Sequence, residues 1–173
     1  MILRAALLAG LTIWTLTFVR FGAAAESFLH LPNLVFHEAG HVIFGLLGPF
    51  LAALGGSLLQ VMVPLIVAGA FLRQDDRLGA AVGIWWAGQN LLDLAPYIAD
   101  ARRLQMTLLG GRTGAEVEGH DWEYLLTEMG WLHLDVTIGM AAHRLGLAIM
   151  TAALAWGVVV LLRARKMPHA ADL

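Results

Sequence analysis

Leu34-Val35-Phe36-His37-Glu38-Ala39-Gly40-His41-Val42-Ile43-Phe44 sets the pattern HExxH inside an apolar run. On a helix, positions i and i+4 share a face with their Cβ atoms roughly 5–6 Å apart, so both imidazoles can reach one ion at about 2.0–2.1 Å, the usual zinc–nitrogen distance. Glu38, beside the ion rather than on it, is placed to take a proton from an attacking water. Charge left idle in an apolar stretch is costly. The motif therefore reads as a zinc site with His37 and His41 as ligands and Glu38 as the general base.

The surroundings fit a bilayer. Of 173 residues, 59% are hydrophobic and 14% charged, against roughly 25% charged in a soluble domain, and the mean hydropathy is +0.72. Residues 1–173 are expected to form a single membrane-embedded domain, with the lipid bilayer as a partner and a bacterial inner (cell) membrane as its location. The formal net charge of −2 supplies no basic footprint, which excludes nucleic acid. Cys is absent, so no disulfide or thiolate is available and any metal must be held by His, Asp or Glu.

Apolar stretches of about membrane-spanning length occur at about 2–24, 31–54, 57–72, 78–98 and 138–162. They predict an all-α fold: a polytopic transmembrane helix bundle of about five spans. Gly55-Gly56 reads as the break between the second and third spans, and Arg73-Gln74-Asp75-Asp76-Arg77 as a polar loop before the fourth. The first stretch shares features with a secretory signal, but Arg20 falls between its apolar run and Ala23-Ala24-Ala25, so a retained helix is expected. The extramembrane stretch 101–136 should carry a short helix, Trp122 to Met129, N-capped by Asp121 and ended by Gly130. Its Trp122, Leu125, Leu126 and Met129 fall on one face, which predicts an amphipathic helix on the bilayer surface or over the bundle. Asp135 should cap the fifth helix.

A three-ligand site needs one more donor. Asn90, Asp93, Tyr97 and Asp100 are spaced i, i+3, i+7 and i+10 along the fourth stretch and form a polar stripe that must face protein or water. Asp93 ranks first as third ligand. His120, beside Asp121, ranks second, because it lies beyond the end of the fourth helix. Asp100 is expected at the interface beside Arg102 and Arg103. His30, His133, His143 and His169 flank helix ends or tails and are expected to be ordinary.

HExxH in one span with an Asp two spans later resembles the intramembrane zinc metalloproteases of the site-2 protease family. The likeness covers about 70 residues and is specific at HExxH; here Leu92-Asp93 is followed by Leu94, and Pro96 comes after the Asp. The resemblance implies Zn2+ on His37, His41 and Asp93, Glu38 as base, and a membrane-protein or peptide substrate cut by an intramembrane peptidase. The alternative is a non-hydrolytic zinc-binding membrane protein, either a metal carrier or an assembly partner.

Overall fold

The computed structural model describes residues 1–166, and His169 lies outside the described residues. The described chain is all-helical. In order it runs α1 (Ile2–Thr17), α2 (His30–Gly45), α3 (Pro49–Arg73), α4 (Arg77–Ala99), α5 (Asp121–Glu128), a 3-10 turn at Leu132–Leu134, and α6 (Asp135–Lys166).

Helix boundaries follow from local chemistry. Gly48 adopts φ +106°, a conformation open to glycine, and Pro49 then starts α3 at a position where its missing N–H costs nothing. The turn between α2 and α3 therefore lies at 46–48, and Gly55-Gly56 sit inside α3. These glycines serve close approach. A Cβ at Gly40 would overlap the Gly55 carbonyl, and one at Gly56 would lie 2.6 Å from His37 Nε2 and 2.7 Å from His41 Cε1. Small residues at a helix crossing let backbones touch where apolar burial gives little drive, as within a membrane.

α4 forms the centre, packed against α3 on one side and α6 on the other. Asp76 caps it by accepting the Gly79 amide at 3.1 Å, and the helix passes through Pro96 to Ala99. α1 joins this core through Trp14, Phe18 and Trp85, whose rings cluster with centroids 5.6–6.4 Å apart, and through Trp85 Nε1, which donates to Thr15 Oγ1 at 2.8 Å. Short turns make α2 and α4 both antiparallel to α3, so α2 and α4 run the same way.

Two helical segments, Pro49–Arg73 and Leu132–Arg165, are long and apolar enough to cross a membrane. That is fewer than the sequence suggested. α1 and α2 have 16 residues each, short of the roughly 20 that a straight crossing needs. α1 stops at Thr17 rather than running to residue 24, and beyond it Arg20 pairs with Glu26. α4 has 23 residues but carries Gln89, Asn90 and Asp93 in its buried part. Exposed apolar side chains nevertheless cover the outside: Leu3 and Ile13 on α1, Val42 and Ile43 on α2, Ile66 on α3 and Leu162 on α6.

α5 begins one residue earlier than expected, at Asp121 itself. His120 is the N-cap, its Nδ1 accepting the Glu123 amide at 3.2 Å, and Asp121 is the first helical residue. Leu125 and Leu126 are buried, and Trp122 Nε1 donates to Ser57 Oγ at 3.1 Å, so the helix lies over the bundle. Asp135, expected as the cap of the fifth helix, is the first residue of α6, and its buried carboxylate accepts from the Arg102 backbone and guanidinium, at 3.3 and 2.8 Å.

The α2–α3 crossing yields the first prediction. Gly40→Ala should destabilise the protein by about 1–3 kcal/mol, the usual cost of overpacking. Gly45→Ala, with nothing within 4 Å of its added Cβ, should stay within about 0.5 kcal/mol of wild type. Unfolding in detergent micelles measures both.

Candidate metal centre

α2 presents His37 and His41 on one face, with ring centroids 4.8 Å apart. Both rings are fixed through Nδ1. His37 Nδ1 meets Gln60 Oε1 at 2.9 Å, and His41 Nδ1 meets the Ala52 carbonyl at 2.8 Å. A carbonyl oxygen can only accept, so each Nδ1 carries a proton and each Nε2 is the ring atom left to face the site. This is the ring orientation in which histidine binds metal once Nε2 gives up any proton it shares, and an oxygen acceptor behind the ring is its customary support.

Both Nε2 atoms point at the same carboxylate, that of Asp121. Its Oδ2 lies 3.1 Å from His37 Nε2 and 3.3 Å from His41 Nε2. One donor atom from each of His37, His41 and Asp121 falls within 4.8 Å of the others, which is ligand spacing for a single cation. Two neutral imidazoles and a carboxylate make a borderline donor set suited to zinc, with a position left for water or substrate. Tyr97 positions the third group: its hydroxyl accepts the Asp121 amide at 2.9 Å and donates to Asp121 Oδ2 at 3.2 Å. Burial alone raises the Asp121 carboxyl, but the hydrogen bonds from His37 and then His41 outweigh it and hold the group below the usual carboxylate range.

The expected ligand Asp93 sits elsewhere. Its buried carboxylate accepts from Gln60 Nε2 at 2.9 Å and Asn33 Nδ2 at 3.0 Å through Oδ2, and pairs with His30 Nδ1 at 2.9 Å through Oδ1. Saturated by three donors, it lies one glutamine away from His37. His120 is also directed elsewhere: it caps α5, packs at a tilt against Tyr97 with centroids 4.3 Å apart, and is lowered in pKa by burial. Of the expected stripe, Asn90 donates to the Trp86 carbonyl at 2.9 Å. Asp100 is buried rather than interfacial and accepts the Met106 amide at 2.8 Å, while its expected neighbour Arg102 pairs with Asp135. Two histidines expected to be ordinary are structural. His30 braces Asp93, and His143, buried in α6, meets the Val19 carbonyl at 3.2 Å.

A cavity of about 670 Å³ opens onto the His37–His41–Asp121 group between α2, α4 and the loop 106–119. Glu38 lines it beside the two imidazoles, and Leu31, Leu34, Leu94 and Leu108 supply apolar wall. Such a space admits a short extended segment with one or two side chains. Sequence reasoning missed Asp121 as a candidate ligand because it read as a helix cap. Comparison with protein-family models, curated proteins and solved structures finds no match for this chain.

If the three groups hold one ion, removing one should empty the site. At saturating zinc, Asp121→Ala should lose most of the bound metal, whereas Asp93→Asn and His120→Ala should each keep close to one equivalent. Equilibrium dialysis against saturating zinc measures this. Retention by Asp121→Ala with loss from Asp93→Asn would return the third position to α4.

Proposed function

We propose that the protein is a zinc-dependent membrane peptidase that hydrolyses peptide bonds of membrane-protein substrates. The observation that carries this reading is the convergence of both HExxH imidazoles, each through Nε2, on the Asp121 carboxylate in the lining of a cavity that Glu38 also lines. His37, His41 and Asp121 would hold the metal, which when bound would lower the pKa of a water and polarise the scissile carbonyl.

The rest of the chemistry belongs to side chains of this chain. Glu38 accepts the proton of the attacking water and returns it to the leaving amine. No side-chain hydrogen bond among the described residues ties its carboxylate, which leaves it available for that exchange. The apolar wall at Leu31, Leu34, Leu94 and Leu108 excludes bulk water and receives a hydrophobic segment. A substrate helix has to be locally extended to enter, because its carbonyls are otherwise hydrogen-bonded within the helix.

The bilayer is the proposed setting. Two segments have crossing length, and the apolar exteriors of α1 and α2 support immersion of these shorter helices beside them, in a five-helix membrane bundle of the kind expected from the sequence. A bacterial inner membrane is the proposed location. A donor set suited to zinc and a placed base also support the likeness to the site-2 protease family, with the third ligand supplied from α5 in place of Asp93.

Glu38→Gln separates a peptidase from a carrier or assembly partner, because it keeps size and hydrogen bonding and removes the base. The variant should retain zinc and lose cleavage of a candidate membrane substrate by roughly 10²-fold or more. The measurement is cleavage at equal expression, with zinc content checked in both proteins. Equal activity would contradict the assignment.

A further inference from the structure

We propose that Gln60 and Asp93 are positioning residues of the metal centre: Asp93 locks the amide of Gln60 in one orientation, and Gln60 thereby holds His37 in the tautomer that binds metal. This inference rests on the metal reading given above. The chain is continuous and buried, running from Asp93 Oδ2 to Gln60 Nε2 at 2.9 Å and from Gln60 Oε1 to His37 Nδ1 at 2.9 Å.

The physical reason is the asymmetry of an amide. Its two ends differ only as donor and acceptor, so by itself Gln60 could present either end to His37. An ionised carboxylate only accepts. With Asp93 at one end, a flipped Gln60 would set its carbonyl oxygen against the carboxylate and leave a buried donor facing His37. The His37 proton would then have no acceptor at Nδ1 and would move to Nε2, the atom that faces Asp121.

Asp93 is itself fixed from three sides. His30 holds Oδ1, while Asn33 and Gln60 hold Oδ2. Asn33 is pinned in turn by Trp86 Nε1, which donates to its Oδ1 at 2.9 Å. The arrangement extends from α4 to α2 through α3, so a carboxylate that touches no ligand atom of the cluster still decides which nitrogen His37 offers. His41 needs no such device, because the Ala52 carbonyl that receives its Nδ1 proton cannot turn over.

Three variants and two readouts test this. Gln60→Met keeps the length and removes both polar ends. Gln60→Glu keeps an acceptor toward His37, and facing Asp93 it shares one proton with that carboxylate, as paired carboxyls do. Asp93→Asn keeps size and removes the charge that orients Gln60. Zinc affinity, measured by competition with a chromophoric chelator, should fall by roughly 10–100-fold in Gln60→Met, the usual cost of losing a partner behind a metal-bound His. Asp93→Asn should fall in the same direction, and Gln60→Glu should stay within about threefold of wild type. The second readout needs no metal. Nitrogen-15 NMR of metal-free protein should find a proton on His37 Nδ1 in wild type and Gln60→Glu, and Nδ1 losing that proton in Gln60→Met. Wild-type zinc affinity in Gln60→Met or in Asp93→Asn, or a wild-type His37 with no proton on Nδ1, would overturn the proposal. A wild-type protein that has the Nδ1 tautomer and binds no zinc would instead remove the metal reading, and the positioning role with it.

Discussion

The backbone contact between α2 and α3 is the constraint on which the site depends. Gly40 lies against Gly55, and Gly56 lies under the rings of His37 and His41. That closeness puts Gln60 and the Ala52 carbonyl, both on α3, behind the two imidazoles. A side chain at any of these glycines would part the helices. The rings would then keep their spacing on α2 but lose the acceptors that select their nitrogens.

A second constraint is the cost of polar groups inside an apolar bundle. An unpaired carboxylate there costs roughly 2.5–3.5 kcal/mol on insertion scales. Asp93 meets this with three hydrogen-bond donors, and Asp121 with two imidazoles, a tyrosine hydroxyl and a position at the bundle's edge. The difference between the two carboxylates follows. One is filled by donors that cannot leave. The other faces two nitrogens that can exchange a shared proton for a cation.

Much of this was legible in the sequence. HExxH in an apolar run brought His37 and His41 to one helix face with Glu38 beside them, and the apolar stretches implied an all-helical chain. The face of Trp122, Leu125, Leu126 and Met129 implied a helix on the bilayer surface or over the bundle, of which the fold shows the second. Asp121 was hidden by a shift of one residue. Asp at a helix start reads as a cap, and only the fold shows that His120 takes that role and frees the carboxylate. Gly55-Gly56 read as a break because glycine punctuates loops, whereas in tightly packed helices it also permits contact. Gly48-Pro49 carried the true boundary signal. Asp93 drew attention as a buried acid that needed a partner, which is correct, but its partners His30, Asn33 and Gln60 come from two other helices and have no mark in local pattern.

The central claim is that one cation joins α2 to α5 through His37, His41 and Asp121. Zinc X-ray absorption on the purified, zinc-loaded protein tests it most directly. The account predicts four-coordinate zinc with two imidazoles and the remaining ligands oxygen, at about 2.0–2.2 Å. A spectrum without imidazole scattering, or one showing a single imidazole among many oxygens, would contradict it.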